Sequence, residues 1–246
     1  MTDPSSRAIG IGHSHAWALR RAAEIVRPLG YELTFPLVGS KCTPNGLVTK
    51  DSANQLEIEA SLSPWFPPLE PASREDAPVV VSALYGNGHF WLTAAESPTP
   101  YDICHPMCST ALPGRRSFPV SLAIDIFRRS DAQLEPFFRL LQARGYKSIV
   151  QISAPPPPPE PGSAIVEKVR ALGGTVANPL LVLKAWHCQN DALRSICLAT
   201  GATFVDPPAE ALTPAGFTRP ELLGDGMHGT TEYAELALKK AFDVVR

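Results

Sequence analysis

The chain has 246 residues, of which 44% are hydrophobic and 19% are charged, a composition typical of a soluble globular protein. Its formal net charge is −2 and it has no run of lysine and arginine, so we expect neither nucleic acid nor an anionic membrane as a partner. No stretch approaches the roughly 20 apolar residues of a transmembrane helix, and the first residues lack the pattern of a signal peptide. We therefore expect a cytoplasmic location.

The predicted elements alternate between short apolar strands and amphipathic helices. Strands are predicted at residues 8–12, 31–39, 78–86, 146–153 and 202–208. Helices are predicted at residues 16–30, 118–129, 131–145, 163–174, 181–201 and 230–245, with Asp131 as the N-cap of the third. This order predicts an α/β fold, a three-layer α/β/α sandwich around a parallel sheet of about five strands. In such sheets ligands bind at the carboxyl ends of the strands, so functional residues are expected there.

Proline is unusually frequent, with 26 residues that cluster outside the predicted strands and helices. Because proline fixes φ and donates no backbone hydrogen bond, its clusters predict irregular loops. We interpret them as insertions, at about 40–77, 97–119 and 154–162, into a single domain that spans residues 1–246.

Ser14, in the segment GIGHSHAW, lies between the first predicted strand and the first predicted helix. A hydroxyl at this point would stand at the positive end of the helix, where a developing oxyanion is stabilised. Serine is also a common helix N-cap. The motif alone therefore leaves a nucleophile and a cap equally open.

Two further motifs follow later in the chain. Asn87 comes after the third strand, between Gly86 and Gly88, where its amide could donate to an oxyanion, although Gly-Asn-Gly is also an ordinary turn sequence. Asp225 and His228 are three residues apart before the last helix. That spacing lets the carboxylate reach one imidazole nitrogen while the other accepts a proton from a serine. Alone, the aspartate–histidine pair is weak evidence.

Together, Ser14, Asn87 and the Asp225–His228 pair form an ordered set that resembles the SGNH (GDSL-like) hydrolase superfamily. That family carries its nucleophilic serine in a first block, an oxyanion asparagine in a middle block and a DxxH motif near the C-terminus. The resemblance runs from Gly12 to the final helix and implies a flavodoxin-like fold. It implies a Ser14 nucleophile, a His228 base and an orienting Asp225 carboxylate, with no metal and no organic cofactor. The implied substrate is a small-molecule or carbohydrate ester, as for an esterase, a lipase or a carbohydrate O-acetylesterase.

The resemblance also implies an oxyanion hole. Its donors would be the Ser14 backbone N–H, the Asn87 amide and a glycine N–H after the second strand, for which Gly39 is best placed and Gly46 second. His13 stands where the family usually has aspartate or asparagine. The run around Asn87 also departs from the usual Gly-x-Asn-Asp, which leaves its local geometry open.

Two other functions remain open on the sequence. His13 and His15 form an HxH pair after the first strand, and Asp225 and His228 could complete a metal-dependent hydrolase site. Such sites generally need further histidines at later strand ends, so we favour the serine mechanism. A catalytically inactive binding module with the same fold is the second alternative. The complete set of serine, asparagine, aspartate and histidine argues against it.

Overall fold

The computed structural model describes residues 6–39, 46–73 and 75–245. Its strands are β1 (Ser6–Gly12), β2 (Tyr31–Val38), β3 (Val48–Lys50), β4 (Leu56–Ile58), β5 (Val79–Ala83), β6 (Tyr101–Ile103), β7 (Arg116–Phe118), β8 (Ile149–Ile152) and β9 (Thr203–Val205). Its α-helices are α1 (Ala16–Ala22), α2 (Gly88–Thr93), α3 (Val120–Ser130), α4 (Leu134–Ala143), α5 (Ser163–Ala171), α6 (Pro179–Thr200) and α7 (Thr231–Asp243). Short 3-10 helices cover Ala23–Leu29, Ser63–Trp65, Pro71–Ser73, Pro106–Cys108, Ala209–Ala211 and Pro220–Leu222.

The central sheet has five strands in the order β2-β1-β5-β8-β9, and every pairing is parallel. The predicted parallel sheet of about five strands is therefore confirmed. The chain winds from β1 to β2 on one side and then crosses to β5 on the other side of β1. This reversal makes a switch point, and in open α/β sheets a crevice forms there outside the carboxyl ends of the strands.

Helices cover both faces of the sheet, so the three-layer prediction is also confirmed. Val79 and Val81 of β5 belong to a core that includes α1 and α7, whereas Val80 between them packs into a core with α4 and α6. Every residue of β5 and β8 is buried. A strand covered on both faces needs apolar side chains in both directions, which explains the run of three valines that begins β5. Among the described residues, no helix combines the length and apolar character that crossing a membrane requires.

The helix predicted at 16–30 is α1 followed by a 3-10 helix that contains Pro28. It ends at Gly30, whose φ of 87° is in the left-handed region that favours glycine. The proline-rich insertions are less irregular than predicted. The part of 40–77 that is described contains the antiparallel pair β3–β4, and 97–119 contains the parallel pair β6–β7. Each of these strands has only three residues, too few for an alternating pattern to appear in the sequence.

Candidate active site

Ser14 lies two residues beyond β1, at the edge of the sheet where the switch point opens. A Cβ at Gly12 would come within 2.9 Å of Ala16 and Ala83, so only glycine lets the chain turn so closely from β1 into α1. The N-cap position of α1 is His15, and no side chain caps the helix. The Ser14 hydroxyl is therefore not a cap in this structure.

The Ser14 hydroxyl instead meets His228, which precedes α7. Ser14 Oγ is 2.8 Å from His228 Nε2, and His228 Nδ1 is 2.6 Å from Asp225 Oδ2. Asp225 Oδ1 accepts hydrogen bonds from the backbone N–H groups of Met227 and His228, at 3.0 and 2.7 Å. The structure thus brings the three residues of the predicted triad into one hydrogen-bonded chain.

The loop that carries Asp225 and His228 is shaped by a glycine that the sequence shows between them. Gly226 has a φ of 77°, and a Cβ there would lie 2.7 Å from the Cα of Gly162. The loop closes where the Gly224 N–H donates to the His228 carbonyl at 2.9 Å. Glycine at 226 therefore allows the tight turn that places Asp225 against His228 and His228 against Ser14.

Asp225 is held in its ionised form. Partial burial raises the pKa of its carboxyl, but hydrogen bonds from the His228 ring and from two backbone N–H groups lower that pKa by more. The net pKa is therefore below the usual range. A carboxylate at this position fixes the His228 ring with Nδ1 protonated. Nε2 is then free to accept a proton from Ser14.

Asn87 lies at the N-cap position of α2, beside Ser14, and its amide bridges two residues of the Ser14 segment. Asn87 Nδ2 donates to Ser14 Oγ at 3.2 Å, and Asn87 Oδ1 accepts from His15 Nε2. In the described part of the chain, no group accepts a hydrogen bond from the Ser14 backbone N–H. The Asn87 amide therefore lies next to the hydroxyl oxygen, and the Ser14 N–H is not bonded to another described group.

Helix α2 was not predicted, because Gly-Asn-Gly indicates a turn. The turn before this helix and the start of the helix are held by Gln189, a buried residue of α6 that the sequence analysis did not identify. Gln189 Oε1 accepts from the backbone N–H of His89 and lies near His89 Nδ1, both at 2.9 Å, and Gln189 Nε2 donates to the Tyr85 carbonyl. Tyr85 has a φ of 57°, a strained value for a bulky residue. Gln189 therefore secures both ends of the strained turn that presents Asn87.

His89 is buried and makes this local contact, so it is a structural residue of the loop in this structure. The sequence offered little signal for Gln189, because α6 contains several other polar and charged residues.

The sequence predicted Asp131 as the N-cap of α4, but that helix starts after Gln133. Asp131 is instead buried behind the Asn87 loop. Burial raises the pKa of Asp131 to about 7, although hydrogen bonds from Gln189 and Ser130 lower it. Between the ordinary pKa near 4 and this value, the folded state binds more protons than the unfolded state. The free energy of unfolding must therefore fall as pH rises through that window.

We expect Asp131→Asn, a neutral replacement of the same shape, to stabilise the protein at pH 8 by on the order of 2–4 kcal/mol. The gain should shrink as pH falls and vanish only below about pH 3, where the parent carboxyl is protonated in both states. Urea unfolding of both proteins at several pH values measures the difference. A gain that stays constant with pH would mean that Asp131 does not titrate in this window.

Gly39 and Gly46, the candidates for the third oxyanion donor, are not supported by their contacts. The Gly39 N–H already donates to the backbone carbonyls of Gly12 and His13, at 3.0 and 3.3 Å. Gly46 lies against the side chain of Gln133. An amide hydrogen that is already bonded in the resting site is a poor oxyanion donor, which argues against Gly39, whereas the role of Gly46 stays a prediction.

His13, at the position where SGNH hydrolases usually have an acidic or amide residue, supports the Asn87 loop. His13 Nδ1 accepts from the Tyr85 backbone N–H at 3.3 Å, and the two rings meet edge to face with centroids 5.4 Å apart. His13 Nδ1 thus contacts Tyr85, whereas His15 Nε2 contacts Asn87. Within residues 6–39, 46–73 and 75–245, no group of three or more histidine, cysteine, aspartate or glutamate side chains is arranged to hold a metal ion. The arrangement gives the HxH metal hypothesis no support.

No family model and no curated protein matches the sequence. Solved structures do match the fold over 98% of this chain, at low identity. They include a GDSL-like lipase from Bacteroides thetaiotaomicron (13% identity, 90% of that chain, TM-score 0.50). They also include the periplasmic domain of a lipopolysaccharide acetyltransferase from Salmonella ser. Paratyphi A (12%, 84%, 0.53) and an extracellular lipase from Streptomyces rimosus (13%, 100%, 0.52). The fold expected from the SGNH resemblance is therefore confirmed.

Proposed function

We propose that this protein is a serine-dependent ester hydrolase with Ser14 as its nucleophile. The observation that carries the proposal is the continuous chain of hydrogen bonds from Asp225 through His228 to Ser14 Oγ. It lies at the switch point of a fold shared with GDSL-like lipases. A hydroxyl, a base and an orienting carboxylate in this order suit acyl transfer.

In the proposed reaction, Ser14 Oγ attacks the ester carbonyl while His228 Nε2 takes the hydroxyl proton. Asp225 keeps the ring oriented and stabilises the imidazolium that forms. The Ser14 N–H and Asn87 Nδ2 donate to the oxyanion of the tetrahedral intermediate. His228 then passes the proton to the leaving alcohol, and a water, activated by the same nitrogen, releases the acyl group from Ser14.

The surroundings favour an ester with an apolar group. A mainly apolar cavity of about 250 Å³ adjoins Asp225 and Met227 and is lined on its other side by Phe90, Ile165 and Val169. Lys168 lies in the same wall. Burial of an alkyl or aryl group here would contribute about 0.8 kcal/mol for each methylene removed from water. Esterase, lipase and carbohydrate O-acetylesterase substrates all remain within the proposal.

Covalent labelling tests the proposal. A fluorophosphonate should add one phosphonyl group to the protein, and intact mass spectrometry should show that Ser14→Ala removes both the adduct and the hydrolysis of p-nitrophenyl acetate. Ser121→Ala, at an exposed serine on α3, is the matched control and should keep both. A folded Ser14→Ala protein that still hydrolyses the ester would contradict the proposal.

Two further outcomes separate the alternatives. Activity that a chelator abolishes and zinc restores would favour a metal site. Ester binding with neither adduct nor turnover would favour a binding module.

A further inference from the structure

A group of three buried polar side chains lies beneath the Asn87 loop. His15 Nδ1, Ser153 Oγ and the Tyr233 hydroxyl each lack a hydrogen-bond partner within the described residues. The three residues are only 7%, 3% and 4% exposed. Because an unpaired buried polar group is costly, three such atoms in one place indicate a shared partner.

The same three residues line one small cavity. The volume that the centre of a water-sized sphere can occupy in it is about 20 Å³. The other walls of the cavity are apolar side chains and backbone. A buried water needs roughly 10–15 Å³ of such space and two to four polar partners. The cavity therefore has the room and the partners for a single water molecule.

We propose that this cavity binds one water, which accepts hydrogen bonds from Tyr233 and Ser153 and donates one to His15 Nδ1. His15 is thereby a positioning residue that sets the orientation of the Asn87 amide. The inference rests on the proposed function, in which that amide is an oxyanion donor.

The orientation of the Asn87 amide depends on which His15 nitrogen carries the proton. If the water donates to Nδ1, the ring hydrogen is on Nε2 and donates to Asn87 Oδ1. The Asn87 NH₂ group then faces Ser14, as the structure has it. With the proton on Nδ1 instead, Nε2 would accept from the amide, and the amide carbonyl would turn toward Ser14. That orientation would repel an oxyanion, so only the first tautomer suits catalysis.

The surroundings keep His15 neutral, as this arrangement requires. Burial lowers the pKa of His15 to about 3 against the opposing effect of its hydrogen bond with Asn87, and the His228 ring, with its centroid 4.9 Å away, contributes to this fall. His228 must itself become charged during the reaction. A neutral neighbour avoids repulsion between two imidazolium ions.

Two measurements test the water and the tautomer without relying on activity. In protein with ¹⁵N-labelled histidine, NMR should show His15 Nε2 protonated and Nδ1 unprotonated at neutral pH. A high-resolution crystal structure should show one ordered water bonded to His15 Nδ1. A protonated Nδ1, or an empty cavity, would overturn the inference even if Ser14 proves to be the nucleophile.

Kinetics test whether His15 acts through Asn87. His15→Phe keeps an aromatic ring at this position but removes the donor, and should lower kcat about 10²-fold with little change in KM, as loss of an oxyanion donor does. His15→Gln can still donate to Asn87 Oδ1 and should recover much of this loss. In an Asn87→Ala background, His15→Phe should cost at most roughly twofold more. Additive losses would instead mean that His15 acts independently of Asn87.

Ser153 offers a matched pair of variants for the water itself. Ser153→Val fills the cavity with a side chain, whereas Ser153→Ala removes the hydroxyl but leaves the space. We expect Ser153→Val to lower kcat roughly tenfold more than Ser153→Ala, because only the first expels the donor to His15 Nδ1. Equal kcat values for the two would contradict the water's role.

If the parent protein neither hydrolyses esters nor labels at Ser14, the proposed function fails instead, and the NMR and crystallographic results still decide the water site.

Discussion

His228→Ala should lower kcat for ester hydrolysis by a factor on the order of 10⁵, with a much smaller change in KM. The variant removes the one base that the described residues place against the Ser14 hydroxyl, since His228 Nε2 is 2.8 Å from Ser14 Oγ. The residual rate should remain above that of water alone, because the Ser14 N–H and Asn87 amide are untouched. Steady-state kinetics with p-nitrophenyl acetate measure the loss.

A rescue experiment separates a lost base from a damaged site. The His228 side chain is 29% exposed, so a free imidazole molecule can enter the space that His228→Ala leaves. Added imidazole should restore part of the lost kcat in His228→Ala and none in Ser14→Ala. Asp225→Ala should lose less than His228→Ala, because the Asp225 side chain is 52% exposed and water can replace its hydrogen bond to His228. An unchanged kcat in His228→Ala would remove His228 from the mechanism.

The parts of the site that could be predicted are those fixed by topology. Ser14 and Asn87 each follow a strand whose last residues are buried and mostly apolar, which makes the strand ends visible in the sequence. Parallel strands bring their carboxyl ends to one edge, so residues after β1 and β5 must meet. To predict the Asp225–His228 contact, only the local spacing of three residues was needed in addition.

The parts that could not be predicted depend on side chains that meet across long stretches of sequence. Gln189 contacts the Asn87 loop from 100 residues away, and His15 contacts Asn87 from 72 residues away. Periodicity shows which face of a helix is buried, but not which polar atom lies opposite which. The HxH spacing accordingly suggested a metal pair, whereas His13 and His15 contact different parts of one loop.

A buried ion pair joins α6 to the proline-rich segment 97–119, and the sequence did not predict which residues form it. Lys184 of α6 is fully buried, and its Nζ is 2.6 Å from Asp102 Oδ1 in β6 and 2.6 Å from the Thr110 carbonyl. Asp102 Oδ2 also accepts from the Leu112 N–H at 2.9 Å. These contacts anchor the proline-rich segment 97–119 to the helix that also carries Gln189. A lysine within the apolar run of α6 was the signal that something must compensate it.

Asp102→Ala should lower the free energy of unfolding by about 3–5 kcal/mol, because it leaves the Lys184 ammonium buried without a counter-charge. For a chain of this size that corresponds to a fall in Tm of roughly 10 °C. The matched control is Asp206→Ala, which breaks a pair with Arg194 whose side chains are 51% and 48% exposed. It should cost under about 1 kcal/mol.

The double variant Asp102→Leu/Lys184→Met decides why the pair matters. It removes both charges and fills the space with apolar side chains of similar size, so it should be clearly more stable than Asp102→Ala alone. Urea unfolding of the three proteins measures the order. If the double variant is instead the least stable, the hydrogen bonds to Thr110 and Leu112, and not the uncompensated charge, hold the 97–119 segment in place. Since α6 also supports the Asn87 loop through Gln189, that result would predict a lower kcat in the double variant as well.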